Sequence, residues 1–193
     1  PYKVIFHAID PSKEALIYED RSITVHSIPL RHRIPCCGFL FAEKPRPNHI
    51  LREMIDFYQI PIYELNKIKN GADYTTPQGE IIPNNRLTSP SLSPRRYAYC
   101  SDTIYKEDII PQIHGVDLLF HEATFADSEL SRAKETFHTT ARQAAEIARK
   151  AEVKQLMLGH FSARYEDETI LLKEASEIFL KCTLAKENLS INI

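Results

Sequence analysis

The sequence predicts an α/β fold. After Pro94, short apolar segments with the length of single strands, over residues 97–100, 116–120 and 154–159, alternate with patterns typical of helices. Polar residues follow each of these segments, and Gly159 ends the last apolar run just before His160. In sheets covered by helices, sites are built at the carboxyl ends of the strands, so the pattern also indicates where a site would lie.

Further elements are predicted toward both ends of the chain. The first 44 residues have the pattern of a strand meander over residues 3–9, 15–19, 23–28 and 38–42. A loop over residues 29–35 has prolines on both sides, which hold it extended with His32 at its middle. Helices are predicted at 106–113, 140–150 and 169–179, and a closing strand at 189–193. Thr140 and Gln143 have the spacing of a capping box at the start of the second of these helices.

The segment from 45 to 94 differs in composition from its flanks, with many prolines, Asn-rich turns and Ser-Pro repeats. A helix capped by Asn48, a second helix over 63–69 that stops at Asn70 and Gly71, and a hairpin over 75–82 are predicted within it. Because it interrupts the strand pattern, we interpret it as an insertion that packs mainly on itself. The core would then comprise residues 1–44 and 95–193. A surface decoration without function is the alternative for the insertion.

Composition limits the class of protein. With 193 residues, 43% hydrophobic, 26% charged and a net charge of −2, the chain is long enough for one substantial core. No apolar run approaches the eighteen or so residues of a membrane span, so no membrane partner is expected. A pI of about 6.5 excludes bulk polycation binding to nucleic acid and leaves only local basic clusters. Four cysteines without a C-x-x-C pair favour a reducing, cytoplasmic location.

Four ionisable residues each fall just beyond a predicted strand or just before a predicted helix: Asp102, Glu122, His138 and His160. One edge of the sheet would therefore collect two carboxylates and two imidazoles. Such ligands suit zinc or manganese in a metal hydrolase, where a carboxylate can bridge two ions. Taken singly, Asp102 could cap a helix, Glu122 could be a surface acid, His138 a loop residue and His160 a strand cap.

Five motifs together resemble those of ribonuclease Z, the tRNA 3′-end processing endonucleases of the metallo-β-lactamase superfamily. They are His121-Glu122-Ala123-Thr124-Phe125, His138-Thr139-Thr140, Gly159-His160-Phe161-Ser162-Ala163-Arg164-Tyr165, Ser101-Asp102-Thr103 and Arg31-His32-Arg33-Ile34-Pro35. The resemblance covers essentially the whole chain. It implies a metallo-β-lactamase-like αβ/βα sandwich and an enzyme that removes 3′ trailers from precursor tRNA and leaves a 3′-hydroxyl.

The resemblance also implies a metal site. His32, Asp102 and His160 match the family's metal ligands, with Asp102 bridging two zinc ions that flank an attacking hydroxide. The family's first metal motif, His-x-His-x-Asp-His, does not occur in these 193 residues, which begin without Met inside a strand-like run. We therefore expect residues upstream that supply the N-terminal half of the fold. We also expect the isolated chain to bind zinc poorly and not to cleave precursor tRNA.

The remaining roles implied by the resemblance concern the substrate. Glu122 and His138 match the pair that protonates the leaving 3′-oxygen, and Ser162 and Arg164 match phosphate contacts. The segment 45–94 corresponds to an arm that grips the tRNA elbow, although its tip at 58–62 lacks the Gly-Pro-rich turn common in relatives. A homodimer is the implied assembly. Two alternatives remain, namely a related phosphodiesterase of small substrates and a non-catalytic half that binds tRNA or dimerises.

Overall fold

The computed structural model describes residues 3–193, and Pro1 and Tyr2 lie outside its described part. By its internal contacts the chain divides into two compact units. One unit, here called the core unit, comprises the residues up to Glu43 and from Arg95 onward, and the other, the arm unit, comprises Lys44–Pro94.

The described strands are, in chain order, β1 (Leu16–Glu19), β2 (Ile23–Pro29), β3 (Cys37–Glu43), β4 (His49–Ile50), β5 (Tyr74–Thr75), β6 (Ile81–Ile82), β7 (Thr88–Ser89), β8 (Arg96–Cys100), β9 (Leu118–Glu122), β10 (Leu156–Gly159) and β11 (Cys182–Leu184). The described α-helices are α1 (Arg52–Tyr58), α2 (Ile62–Lys69), α3 (Asn84–Leu87), α4 (Ile110–Ile113), α5 (Leu130–Thr136), α6 (Ala141–Lys150) and α7 (Thr169–Ser176). Short 3₁₀ helices at Glu107–Ile109 and Asp127–Glu129 precede α4 and α5.

A seven-stranded mixed sheet forms the centre of the core unit, in the order β1-β2-β3-β8-β9-β10-β11. The pairs from β1 to β8 are antiparallel, whereas β8, β9, β10 and β11 pair in parallel. Two antiparallel steps separate β2 from β8, so these two strands run in the same direction. The carboxyl ends of β2, β8, β9 and β10 therefore lie at one edge of the sheet. The predicted α/β class is confirmed.

One face of the sheet is covered by helices. Residues paired across four strands at this face, Leu40, Ala98, Leu119 and Leu156, are all buried. Helix α6 packs here with five buried apolar residues, four of them alanines, which permits a close approach to the strands. It begins with the predicted capping box, since Thr140 accepts from the Gln143 backbone N–H and Gln143 accepts from the Thr140 N–H.

The opposite face of the sheet carries aromatic side chains. The rings of Phe41 and Tyr97 stack at 5.8 Å, and those of Tyr99 and Phe120 at 4.7 Å. The Phe120 ring also lies against Gly159, so closely that a Cβ at this position would collide with it. Glycine is thus required at the end of β10, directly before His160.

The arm unit has its own small apolar cluster, formed by Ile60, Ile68, Tyr74, Ile82 and Leu87. Helix α2 ends at Asn70 and Gly71 as predicted, with Gly71 at φ +100°, and β5 and β6 form the predicted hairpin.

The predicted cap at Asn48 is wrong. Helix α1 starts only after Leu51. His49–Ile50, the two residues that follow Asn48, form strand β4, which pairs with β7. The Asn48 side-chain amide lies instead 3.4 Å from the Thr88 hydroxyl. Because residues 49–50 pair with β7, no helix starts at Asn48, although this residue type favours the N-cap position.

Two predicted strands are absent from the described residues. Residues 3–9 and 189–193 form no strand, because the sheet ends at β1 and β11 and neither segment pairs with those edges. The last strand is Cys182–Leu184, which follows α7 closely and pairs in parallel with β10. None of the helices in the described part of the chain has the length and apolarity needed to cross a bilayer.

Candidate active site

Three predicted site residues meet at the carboxyl edge of the parallel strands. Asp102 follows β8, Glu122 ends β9 and His160 follows β10. The register places Gly159 opposite Glu122, which brings the three strand ends level. As a result, His160 Nε2 lies 3.1 Å from Asp102 Oδ1, although 58 residues separate them in the sequence.

The backbone is unusual at two of these residues. Asp102 and His160 both have φ of +57°, in the left-handed region that non-glycine residues rarely adopt. Such conformations cost about 1–3 kcal/mol each and persist where the surroundings enforce them, often at functional sites. In this case the turn after each strand directs the two side chains toward each other.

Glu122 is fully buried and is a hydrogen-bond acceptor for several groups. The backbone N–H groups of Thr103 and Thr139 donate to it at 2.5 and 3.0 Å, and the Thr124 hydroxyl donates to Oε2 at 2.6 Å. Burial raises the pKa of the carboxyl, but the hydrogen bonds from His138, Thr124 and Thr139 outweigh burial and lower it. Glu122 is therefore ionised.

His138 is the imidazole partner of Glu122. Its Nδ1 lies 3.1 and 3.0 Å from the two carboxylate oxygens. The hydrogen bond with Glu122 raises the pKa of His138, and burial opposes this only in part. Because the carboxylate can only accept, Nδ1 carries a proton and Nε2 is the ring atom left to exchange one with a ligand. The pair has the geometry of a general acid held by a carboxylate.

His32 reaches the same region from the loop after β2. Its Nδ1 lies 3.0 Å from the carbonyl oxygen of Phe137, and its ring centroid is 5.0 Å from that of His138. A carbonyl only accepts, so Nδ1 is the donor, and Nε2 is the ring atom left to contact a ligand. Phe137 itself has φ of +61° at the end of α5, which presents its carbonyl to the imidazole.

Potential metal-ligand atoms form two overlapping groups in the described chain. His32, Asp102 and His138 offer atoms within 4.8 Å of one another, as do Glu122, His138 and His160. The oxygens of Glu122 already accept bonds from protein groups, so this carboxylate is better suited to holding His138 than to binding an ion. The imidazoles of His32, His138 and His160 and the carboxylate of Asp102 remain as candidate ligands, and imidazoles with a carboxylate are a donor set that zinc prefers.

The predicted phosphate contacts lie just beyond His160. The Ser162 backbone N–H donates to the Thr124 carbonyl at 3.1 Å, which fixes this loop to the end of β9. Arg164 Nη1 lies 3.9 Å from Glu129 Oε2, with both side chains about half exposed. The structure thus gives Arg164 an exposed ion pair rather than a bond to the histidine and carboxylate cluster.

Sequence reasoning missed several groups that organise the site. The backbone amides of Thr103 and Thr139, the Thr124 hydroxyl and the Phe137 carbonyl hold the ionisable side chains in place. The three threonines lie within the motifs, and that proximity was the available signal. Nothing in the sequence signals the Phe137 carbonyl, because its direction depends on a left-handed backbone conformation.

Two further groups lie near the site. His121 is buried with Nδ1 2.8 Å from the Glu122 carbonyl oxygen, and burial lowers its pKa. Cys36 and Cys37 are free thiols, and Cys36 Sγ donates to the Asp102 carbonyl at 3.3 Å. That contact supports the turn that carries Asp102.

Comparisons with known proteins show what the chain is similar to. A family model described as a beta-lactamase superfamily domain matches residues 87–161. Over its whole length the chain is 69% identical to a ribonuclease Z from Bacteroides fragilis, 71% to one from Phocaeicola vulgatus and 60% to one from Parabacteroides distasonis. It spans 63%, 62% and 64% of those proteins, so it corresponds to part of their length.

Solved structures show the same fold. The metallo-beta-lactamase fold protein YhfI from Bacillus subtilis matches 95% of this chain and 54% of its own, with a TM-score of 0.60 and 16% identity. The short form of human tRNase Z matches 95% of this chain and 47% of its own, with a TM-score of 0.54 and 23% identity. The fold is therefore that of metallo-β-lactamases, and over the part of their length that it spans the chain is similar to ribonuclease Z proteins.

Proposed function

We propose that this chain supplies the catalytic edge of a zinc-dependent endoribonuclease that removes 3′ trailers from precursor tRNA. The observation that carries the proposal is the meeting of His32, Asp102 and His160 with the Glu122–His138 pair at one sheet edge. The names of the relatives support the substrate class.

The donor set fits a metal ion. His32 and His160 each have Nδ1 hydrogen bonded to a protein group, and His160 Nε2 faces Asp102. We propose that His32, Asp102 and His160 would hold zinc, and that the complete protein would bind two ions. When bound, zinc lowers the pKa of water into the neutral range and stabilises negative charge on phosphate oxygens.

We propose His138 as the proton donor to the leaving 3′-oxygen of the tRNA. Glu122 holds the proton on Nδ1, so the proton that is transferred leaves from Nε2. Protonation is needed because an alkoxide is a poor leaving group, and the product tRNA then carries a 3′-hydroxyl. The buried carboxylate stabilises the imidazolium before transfer and keeps the ring oriented.

Ser162 and Arg164 are the proposed phosphate contacts. Arg164 has an exposed guanidinium whose partner Glu129 is equally exposed, so a phosphate can replace that carboxylate at low cost. The planar fork of arginine can then hold two phosphate oxygens.

For the arm unit we propose tRNA binding. It contains a cavity of about 610 Å³ lined in part by the basic residues Arg46 and Lys69. Phe57, Ile62 and Tyr63 expose about three quarters or more of their surface around the turn between α1 and α2. Exposed aromatic rings and basic residues in one unit suit contacts with folded RNA, where bases stack on rings and cations meet phosphates.

The ligand set predicts how much activity the 193 residues have by themselves. Three side-chain ligands cannot complete two four-coordinate zinc sites, so we propose that the chain alone binds zinc weakly and does not cleave precursor tRNA. A cytoplasmic homodimer is the assembly that we propose for the complete protein.

Cleavage of a labelled precursor tRNA tests the proposal. The chain is assayed alone and after fusion to the remaining part of the Bacteroides fragilis relative, with and without zinc. We expect zinc-dependent cleavage only in the completed protein, and a 3′-hydroxyl that accepts ligation to a 5′-phosphorylated oligonucleotide.

A small phosphodiester, bis(p-nitrophenyl) phosphate, serves as the comparison substrate. Turnover of this ester without cleavage of precursor tRNA would favour the phosphodiesterase alternative. Precursor tRNA binding without hydrolysis of either substrate would favour the non-catalytic one. Cleavage by the 193-residue chain alone would contradict the proposed inactivity.

A further inference from the structure

Thr124 lies at the centre of the site, where it contacts two groups with different roles. Its buried hydroxyl is 2.6 Å from Glu122 Oε2 and 2.9 Å from His160 Nδ1. Thr124 thus joins the proton-donor pair to a proposed metal ligand. The threonine hydroxyl therefore links the two groups directly.

Counting protons fixes the direction of the bond to His160 Nδ1. The Thr124 hydroxyl has one proton to donate, and two oxygens near it can only accept, Glu122 Oε2 at 2.6 Å and the His160 carbonyl oxygen at 2.9 Å. Charge-assisted bonds are roughly twice as strong as neutral ones, so the Thr124 proton points to Glu122. With the proton on either oxygen, the Thr124 oxygen accepts at its third contact, which requires that His160 Nδ1 carry a proton.

This arrangement determines which atom of His160 can bind a metal ion. With the proton on Nδ1, the lone pair of a neutral imidazole is on Nε2, the atom 3.1 Å from Asp102 Oδ1. A lone pair and a carboxylate oxygen facing each other at that distance repel unless a cation lies between them. The two atoms are therefore prepared to share a positive charge.

We propose that Thr124 is a positioning residue that passes the negative charge of Glu122 to His160 and selects the Nδ1–H tautomer, so that Nε2 binds the metal. The inference rests on the proposed function, which is what identifies His160 as a metal ligand. The Glu122 carboxylate would then orient both histidines. It bonds His138, the proton donor, directly, and it reaches His160, the ligand, through the Thr124 hydroxyl.

Nitrogen NMR of the ¹⁵N-histidine-labelled chain tests the tautomer without RNA and without activity. At pH 8, where imidazole is ordinarily neutral, long-range ¹H–¹⁵N spectra report which ring nitrogen carries the proton. His160→Gln identifies the signals. We expect Nδ1–H for His160 in the parent chain and in Thr124→Ser, and a shift to Nε2–H in Thr124→Val, because Asp102 then becomes the better acceptor.

Zinc titration of the completed protein, the fusion described above, by competition with a chromogenic chelator gives a second readout. Thr124→Val should weaken zinc binding about 10- to 100-fold, the effect typical of losing a partner of a ligating histidine, whereas Thr124→Ser should stay within about threefold. Thr139→Val is the matched control. Its buried hydroxyl donates to the Thr103 carbonyl at 2.6 Å, beside the same carboxylate but away from His160.

The control separates positioning from packing. Thr139→Val should leave the His160 tautomer unchanged and the zinc affinity within about threefold of the parent, even if the substitution lowers thermal stability. Nε2–H in the parent chain, or an unchanged tautomer in Thr124→Val, would overturn the proposal. Equal zinc affinity of Thr124→Val and Thr124→Ser would do the same. Absence of tRNA cleavage would refute the proposed function but not the tautomer.

Discussion

The core unit and the arm unit use polar side chains for different purposes. In the arm unit, the Asn84 side chain donates to the carbonyls of Ile68 and Ala72 at 2.7 Å, so a polar side chain satisfies backbone groups at the end of a helix. In the core unit, Glu122 and Thr124 bond to other side chains, among them those of His138 and His160. The first arrangement stabilises a shape, whereas the second sets protonation states. Substitutions in the arm unit should therefore change its folded shape, whereas substitutions in the core unit should change the protonation states of the site.

The largest effect is expected at Asp102. Asp102→Asn removes the charge of a proposed ligand but keeps a side chain that tolerates the left-handed backbone at this position. We expect about a 10⁴-fold loss of cleavage rate in the completed enzyme, because several kcal/mol of transition-state stabilisation depend on the metal. Single-turnover cleavage of precursor tRNA measures it.

Thermal unfolding of the metal-free protein is the control for this variant. The Asp102 side chain is about half exposed, so the midpoint of thermal unfolding should barely change in Asp102→Asn. Retention of more than a tenth of the rate would show that Asp102 is not a metal ligand.

A smaller loss with a distinct pH dependence is expected for the Glu122–His138 pair. Loss of the general acid in His138→Ala should lower the rate about 10²- to 10³-fold. His138 must be protonated to donate, so the rate should fall as the pH rises through its raised pKa. Glu122→Gln removes the charge that raises this pKa, and the falling limb should move to lower pH.

The pH profile distinguishes this role from structural support. An unchanged limb in Glu122→Gln, measured with saturating zinc, would show that another group donates the proton. Thr139→Val serves as the comparison, since it changes a buried hydrogen bond next to Glu122 without removing the charge.

Removal of the arm unit should affect binding rather than chemistry. The Glu43 backbone N–H donates to the Arg95 carbonyl at 2.9 Å, so residues 44–94 can be replaced by a two-residue Asn-Gly hairpin turn between β3 and β8. We expect KM for precursor tRNA to rise about 10- to 100-fold, equivalent to roughly 1.4–2.8 kcal/mol. Hydrolysis of bis(p-nitrophenyl) phosphate should stay within about threefold.

A pair of core substitutions sharpens the same contrast. Ile68 in the arm unit and Leu119 in the core unit are both fully buried, and each change to alanine should cost about 2–5 kcal/mol locally. Ile68→Ala should impair only tRNA cleavage, whereas Leu119→Ala should impair both substrates. Equal losses on both substrates for Ile68→Ala would contradict a separate binding role for the arm unit.

The same contrast explains what could be predicted from the sequence. The parallel strands and α6 were predictable, because their apolar periods and the Thr140–Gln143 box are local signals. Helix α5 was not, since Ala133 is its only buried residue and it lacks an apolar face. The prediction of a strand at 189–193 was wrong for a related reason, because alternation of apolar residues does not specify a partner strand.

Within the site, residue types were predictable but their connections were not. Asp102, Glu122, His138 and His160 could be placed at one edge from strand order alone. The φ of +57° at Asp102 and His160 and the Thr124 bridge depend on contacts between β9 and the loop after β10. No local sequence pattern encodes those contacts.

The smallest expected effect concerns the start of α6, two residues after His138. Thr140→Ala removes one half of the capping box and should lower stability by about 1 kcal/mol, or about 2–4 °C in Tm for a chain of this size. Gln143→Ala removes the other half and is the matched variant. Because Thr139 N–H still bonds Glu122, the pH limb of cleavage should not move, and KM for precursor tRNA should match the parent. A shifted limb in Thr140→Ala would mean that the helix start, and not Glu122 alone, sets the protonation of His138.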